Sequence, residues 1–108
     1  MPRLRDRVQL MRPLEGADDY GNPAKGWTAG PTVYADIMER LGSEKLGAGR
    51  IESTKLAAIT LWAADLPQGF DARWRVTARG LEWSIQSVAG VGRSGSLVEI
   101  SATHGGAP

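Results

Sequence analysis

The sequence contains no cysteine, which excludes disulfide bonds, catalytic thiolates and cysteine-ligated zinc among its 108 residues. It also lacks any apolar run near the ~20 residues that cross a membrane, and its first residues hold no apolar signal core. Neither sign of charge dominates, because 13 Lys and Arg against 12 Asp and Glu leave a net charge of +1. Whole-molecule attraction to nucleic acid is therefore weak. These absences predict a soluble protein made in the cytoplasm.

Residues for catalysis are scarce as well. The single histidine, His104, falls near the C-terminus, and no serine has the surroundings of a nucleophile elbow. Asp18 and Asp19 could hold a cation, but adjacent acids before Tyr-Gly-Asn-Pro are typical of turns. The glycines within residues 89–96 do not lie between a buried parallel strand and a helix, as a phosphate loop requires. The sequence predicts no enzyme, no cofactor and no metal site.

The strongest pattern that is present is a β-hairpin over residues 72–88. A two-residue turn at Arg79 and Gly80 places an apolar set on one face, pairing Ala78 with Leu81, Val76 with Trp83 and Trp74 with Ile85. The other face then pairs Thr77 with Glu82, Arg75 with Ser84 and Arg73 with Gln86. A slip of one residue would turn the apolar set towards water, so the register is strongly specified. The Arg-Gly pair leaves the type of turn open.

Short alternating segments separated by 14 glycines and six prolines predict a mainly β chain forming one domain over residues 1–108. Further strands are predicted over residues 5–13, 32–40, 54–64 and 97–103. Between them we expect a long loop over 14–31 with one extended piece near Trp27, a short frayed helix or mobile loop over 41–53, a flexible loop over 89–96, and a flexible tail over 104–108. The expected architecture is a small six-stranded β-barrel or sandwich.

Two surface features indicate possible partners. The strand over residues 54–64 is apolar on both faces, so it is either covered on both or meets a neighbouring subunit. The arginines Arg5, Arg7, Arg73 and Arg75 would form a basic stripe if their strands lie side by side, which is the feature expected of a small nucleic-acid-binding barrel. The commoner reading of such a stripe is a solvated strand face or pairing with acids.

In order along the chain, the landmarks resemble the phage head–tail joining family of head-closure (stopper) and head–tail adaptor proteins. Leu-Arg-Asp-Arg-Val-Gln-Leu-Met-Arg-Pro at 4–13 is similar to the family's opening strand, Leu-Arg-x-Arg-Ile-x-Ile-x-x-Pro. Asp-Asp-Tyr-Gly-Asn-Pro at 18–23, followed by Trp27, resembles its Asp-x-Tyr-Gly-x-Pro…Trp loop. Val-Tyr-Ala-Asp-Ile at 33–37, Gly-Ser-Glu at 42–44 and Leu-Glu-Trp-Ser-Ile-Gln-Ser-Val at 81–88 continue the match. The departures are Gly47 and Gly49, where relatives often carry a helix, and an unusually apolar strand over 56–63.

The resemblance implies a structural protein of the virion or of a gene-transfer-agent particle, made in the bacterial host cytoplasm and placed at the head–tail junction. Its subunits would form a homo-oligomeric, dodecameric ring between a portal or adaptor protein above and a tail terminator or tail protein below. That ring would close the DNA channel after packaging, touch the packaged DNA without sequence specificity, and present a docking surface for the tail; no membrane is involved. A neighbouring connector or tail-completion protein of similar fold is the alternative within this reading.

Nine residues are candidates for these contacts. The subunit interface would use Leu56, Ile59 and Leu61 on the apolar strand and Asp18, Tyr20 and Pro23 on the long loop. DNA in the channel, or a partner, would be met by Lys45, Arg50 and Arg93. On this view an aspartate at Ile59 or Leu61 would break the ring and leave the subunit folded, and deleting residues 18–23 would weaken assembly.

Overall fold

The structure, a computed structural model, describes residues 4–17, 20–22, 25–41, 45–47, 50–52, 54–92 and 94–105. Over these residues the chain is almost entirely strand. The strands are β1 Asp6–Pro13, β2 Trp27–Leu41, β3 Lys45–Gly47, β4 Arg50–Glu52, β5 Thr54–Trp62, β6 Arg75–Ala78, β7 Leu81–Val91 and β8 Leu97–Gly105, with a single 3₁₀ turn at Ala63–Asp65.

Six of these strands form a closed antiparallel barrel in the order β1-β2-β5-β8-β7-β6, and β6 returns to pair with β1. The two short strands β3 and β4 form a separate hairpin between β2 and β5. Closure removes most of the free edges that an open sheet of this size would present. The prediction of a six-stranded mainly β fold is confirmed, and of its two forms the structure adopts the barrel.

The barrel interior is filled by side chains from alternate positions of all six strands. Trp83 is fully buried, and its indole Nε1 donates a hydrogen bond to the Ala78 carbonyl oxygen at 3.2 Å. Trp74 is 3% exposed, and its Nε1 donates to the Gly69 carbonyl at 3.1 Å. Burial of each indole stabilises the fold by roughly 2–3 kcal/mol, and the hydrogen bonds satisfy the N–H groups that burial removes from water. The other fully buried large side chains are Leu10, Ile59, Leu61, Ile100, Val8 and Val76.

The central hairpin forms in the predicted register, but its ladder covers only residues 75–84. The predicted pairs Trp74–Ile85 and Arg73–Gln86 are not part of it, since β6 begins at Arg75. Ala78 pairs with Leu81, Val76 with Trp83, Thr77 with Glu82 and Arg75 with Ser84. At the turn Arg79 has φ 52° and Gly80 has φ 74°. Two successive residues with positive φ are the signature of the type I′ turn, whose twist matches that of the flanking strands. The type of turn, which the sequence left open, is thus decided by the strand twist.

The described residues of the segment predicted as a frayed helix or mobile loop, 45–47 and 50–52, are strands instead. The parts of this segment within the described residues form the β3–β4 hairpin, with Lys45 opposite Glu52 and Leu46 opposite Ile51. The helix prediction rested on the helical spacing of a few apolar residues. The glycines within the segment destabilise a helix by about 1 kcal/mol each. Antiparallel pairing of the two short strands gives the backbone hydrogen bonds that a helix would otherwise have provided.

Three predicted loop segments belong to strands instead. β2 begins at Trp27, so residues 27–31 of the predicted long loop are extended and pair with β1. β7 continues to Val91 through the predicted flexible loop, and β8 continues to Gly105, which places His104 in a strand rather than in the tail. In each case the segment is extended because it forms backbone hydrogen bonds with a neighbouring strand, and the local sequence alone does not predict this pairing.

A close approach of two backbones distinguishes Gly30 from the other glycines. The pairing of β1 with β2 shifts between Gln9 and Met11, and Gly30 lies against the irregular stretch. A Cβ atom at Gly30 would stand 2.4 Å from the Leu10 carbonyl oxygen and 3.4 Å from the Trp74 ring. Only glycine lets the strands meet here without a backbone shift.

We expect Gly30→Ala to lower the free energy of unfolding by about 1–3 kcal/mol, because the added methyl overlaps backbone that cannot move aside. Gly90→Ala is the matched control, since a Cβ there meets nothing within 4 Å. The control should leave stability unchanged or raise it by up to about 1 kcal/mol. Urea unfolding of both variants measures the difference, and equal losses in the two would contradict the clash.

Candidate assembly surface

Strand β5 presents one face to the core and the other to the outside. Ile59 and Leu61 are both 0% exposed inside the barrel, whereas Leu56 is 40% and Trp62 37% exposed. Side chains of a strand alternate between faces, so the run that looked uniformly apolar divides into a core set and a surface set. This corrects two candidates for the subunit interface, because Ile59 and Leu61 are core residues; Leu56 keeps a surface position.

The outward face of β5 lies in an open groove of about 480 Å³ that crosses β2, β5 and β8. Along the groove Met38 stands opposite Ala58, which in turn stands opposite Ser101. The next row joins Asp36 on β2 to Glu99 on β8 through Thr60. Met38 is 56% exposed, and an outward-facing methionine beside an exposed leucine is a feature of contact surfaces. The alternation of residues along β2 is enough to predict that Met38 faces outward. That Met38 lies near Leu56 follows only from the pairing of β2 with β5.

The remaining predicted contact residues are spread over other parts of the chain. Tyr20 is 89% exposed on the loop between β1 and β2. Lys45 and Arg50 lie on the same β3–β4 hairpin but at different ends, Lys45 opposite Glu52 at the open end and Arg50 opposite Gly47 at the turn end. Asp18, Pro23 and Arg93 lie outside the described residues.

An ion cluster that the sequence did not reveal joins β1 and β2 to the turn between β6 and β7, at the opposite end of the barrel from the loop between β1 and β2. Arg79 donates to a carboxylate oxygen of Glu39, and its Nη2 lies 3.4 Å from Asp6 Oδ2. The same Asp6 oxygen accepts the backbone N–H of Ile37 at 3.4 Å. The hydrogen bond to Glu39 raises the pKa of Arg79 above its ordinary value. Asp6, a polar misfit in the pattern of the first strand, is explained by this cluster.

Arginine side chains on the outside of the barrel lie over aromatic rings. The Arg7 guanidinium carbon is 5.5 Å from the centroid of the Tyr34 ring, and its Nη2 donates to the Tyr34 hydroxyl at 3.1 Å. Arg12 lies 4.5 Å from the Trp74 centroid in the same manner. Each cation–π contact of this kind contributes about 0.5–1 kcal/mol at an exposed site.

Two further arginines of the predicted basic stripe, Arg73 and Arg75, have carboxylate neighbours. Arg73 forms an ion pair with Asp71 at 3.0 Å, and its hydrogen bond lowers the pKa of Asp71. Arg75 lies 3.8 Å from the centroid of the Trp27 ring and 3.5 Å from a Glu82 oxygen. The stripe is therefore partly neutralised within the subunit, which leaves a weak electrostatic footprint for a polyanion.

His104 is part of the barrel wall. Its Nδ1–H donates to the Glu82 carbonyl at 2.7 Å, and its ring centroid is 5.7 Å from that of Trp83. Among the described residues no group of three or more metal-ligating side chains comes together. In the same part of the chain no helix has the length and hydropathy needed to cross a membrane.

Comparisons with known proteins all concern the same kind of particle or the same fold. A family model described as phage head completion protein matches residues 1–105. The head completion protein gp7 of Enterobacteria phage HK97 is 33% identical over 60 residues, which are 56% of this chain and 52% of that protein. The chain thus spans about half the length of the curated relative it matches.

Two solved structures share the fold. A chain from the virion of a native gene transfer agent particle superposes with a TM-score of 0.80 at 23% identity, covering 100% of both chains. The solution structure of protein SF1141 from Shigella flexneri 2a superposes with a TM-score of 0.67 at 17% identity, covering 99% of this chain and 96% of the other. At these identities the likeness establishes the barrel topology.

An aspartate on the inner face of β5 should destabilise the protein much more than an aspartate on its outer face. Ile59→Asp should lower the free energy of unfolding by at least about 4 kcal/mol, because it buries a carboxylate without a partner. Leu56→Asp on the outer face should cost about 1 kcal/mol or less. Urea denaturation followed by tryptophan fluorescence measures both. A folded Ile59→Asp variant of normal stability would show that the strand faces are assigned the wrong way round.

Proposed function

Because this chain belongs to the phage head completion protein family, we propose that it is a structural component of a virion or gene-transfer-agent particle that completes the head at its junction with the tail. The observation that carries the proposal is the family match over residues 1–105, which is nearly the whole chain. The barrel supports a structural role, because its interior is occupied by packed side chains and its outer surface is what remains for binding partners.

In this proposal the subunits form a ring between a portal or adaptor protein above and a tail terminator or tail protein below. The ring closes the channel after DNA packaging and gives the tail its docking surface. A ring requires two unlike surfaces on each subunit, which meet head to tail and close by rotation. The groove with Leu56 and Met38, and the loop carrying Tyr20, are the exposed apolar features that support contacts of this kind.

We propose that Lys45 and Arg50 contact the packaged DNA in the channel of the ring. Lys45 and Arg50 share the β3–β4 hairpin, which lies outside the barrel sheet and joins β2 to β5. Contacts from such side chains to phosphates hold DNA without reading its sequence. Arg93, together with Asp18 and Pro23 on the first loop, stays a prediction from the sequence.

The alternative of a free nucleic-acid-binding barrel has less support. Three of its four arginines contact rings or carboxylates of the same subunit: Arg7, Arg73 and Arg75. Trp27, one of two tryptophans that are 37% exposed, is covered on one face by Arg75 and donates its Nε1–H to the Arg73 carbonyl at 2.8 Å. Stacking of bases on aromatic rings, which single-strand binding requires, has no open platform at this position.

We expect a strain in which this gene carries an early stop codon to make defective particles. Electron microscopy should show tailless heads that have lost their DNA, next to separately assembled tails, and a plasmid copy of the gene should restore complete particles. Complete tailed particles in the mutant would overturn the proposal. In that case salt-dependent binding of single-stranded DNA by the purified protein becomes the property to measure.

A further inference from the structure

Two long strands of the barrel are paired on both sides along only part of their length. β2 pairs with β1 from Trp27 onwards, but its pairing with β5 begins at Ala35. β7 pairs with β8 as far as Val91, but its pairing with β6 ends at Ser84. Residues 27–34 of β2 and residues 85–91 of β7 therefore each have one edge with no strand beside it in the described part of the chain.

Both stretches are open to solvent. Every residue of β7 from Gln86 to Gly90 is exposed, and Val88 is 37% exposed. On β2, Trp27 and Tyr34 are 37% and 50% exposed. A free strand edge offers unpaired backbone N–H and C=O groups, and an uncovered edge with apolar side chains is a template for pairing with another chain.

The free edge of β7 has only one of the usual devices that prevent such pairing, the register shift against β8 between Ile85 and Ser87, and this lies at the start of the free stretch. Its residues read Ile-Gln-Ser-Val-Ala-Gly-Val, without a charge or a proline. Monomeric proteins protect exposed edges with lysine, proline or an inward-pointing charge. β2 has one such residue, Pro31, in the middle of its free stretch. The free stretch of β7 beyond Ser87 is therefore available for pairing with a strand of another chain.

The two free edges lie on different sides of the subunit. In the barrel order β1-β2-β5-β8-β7-β6, the strands β2 and β7 are three places apart and therefore opposite each other. The free stretches are of similar length, so one can pair with the other along nearly all of its residues. A subunit with two matching edges on opposite sides cannot satisfy them internally, but a second copy can.

We propose that the free edge of β7 in one subunit adds to the free edge of β2 in a second copy, which makes a continuous sheet across the subunit boundary. The inference rests on the proposed function and names the contact by which the ring closes. Backbone hydrogen bonds supply the pairing, and the exposed side chain of Val88 lies beside the seam. The contact is head to tail, as a closed ring requires.

Cysteine cross-linking tests the contact directly, because the chain has no cysteine of its own. Ala89→Cys is combined in one chain with Thr28→Cys, Thr32→Cys or Tyr34→Cys in turn, and particles from the complemented mutant strain are oxidised. At least one combination should give a ladder of bands at multiples of the chain's mass. Ala89→Cys with Lys55→Cys, an exposed residue at the other end of β5 that is paired on both sides with Leu41 and His104, should give none. A cross-link to a different protein, or no ladder from any combination, would overturn the proposal.

A charge on the edge provides the second test. Val88→Lys should reduce the yield of tailed, DNA-filled particles at least tenfold, whereas the β-branched control Val88→Thr should keep it near the wild-type level. Thermal unfolding of the purified variants verifies that both fold. If Val88→Lys does not fold, Ala89→Lys takes its place in the test. Full yield from the folded lysine variant would overturn the edge contact while leaving the proposed function intact. Full yield from the strain without the gene would overturn the proposed function, and the cross-linking ladder would then decide the edge contact by itself.

Discussion

The barrel depends on one short strand that closes it. β6 is four residues long, yet it pairs with β1 on one side and with β7 on the other, and without it these two strands would be the edges of an open sheet. Val76 and Ala78 from β6 are buried, and the preceding Trp74 lies beneath Arg12 at the barrel end. The following turn holds Arg79 at positive φ, and the guanidinium of that residue reaches across β1 to Glu39 on β2. A few side chains of this hairpin therefore secure the closure for the whole domain.

Closure also determines where function can lie. The interior is packed with apolar side chains, so binding must use the outer face, the connecting segments or the strand ends. The outer face has the groove around Leu56 and Met38, the β3–β4 hairpin is separate from the barrel sheet, and the long strands β2 and β7 have free edges. Each occupies a different part of the surface, which is what a subunit needs if it is to contact its own copies, other proteins and DNA at once.

The position of the free edges follows from unequal strand lengths. β2 has 15 residues and β7 has 11, whereas β6 between β7 and β1 has only four. Long strands beside short ones must extend past the closed part of the barrel. The shape of the subunit, 43 × 39 × 24 Å, reflects these extensions. A compact closed barrel and an open pairing surface are thus present in one small domain.

The order of side chains along the chain was sufficient to determine the central hairpin, its register and the mainly β fold. The register followed because only one alignment of Val76, Trp83 and their neighbours puts every apolar group on one face. The ordered landmarks from residue 4 to about residue 100 were also sufficient to identify the family. The hairpin register depends on residues close together in the chain, and the family resemblance depends on the order of the landmarks. Both can therefore be recognised without knowing which strands become neighbours.

Other features depended on which strands become neighbours, and only the tertiary structure decided those. Ile59 and Leu56 both looked like surface residues, and the barrel's interior separated them. The extended piece predicted near Trp27 proved to be the start of β2, and residues 89–91, which looked like a loop because of Gly90, are extended through their pairing with β8. Asp6 had no evident role until Arg79, distant in sequence, came beside it. Long-range pairing contributes free energy that no local pattern contains, which is why the core faces, the ion cluster and the free edges could be known only from the folded chain.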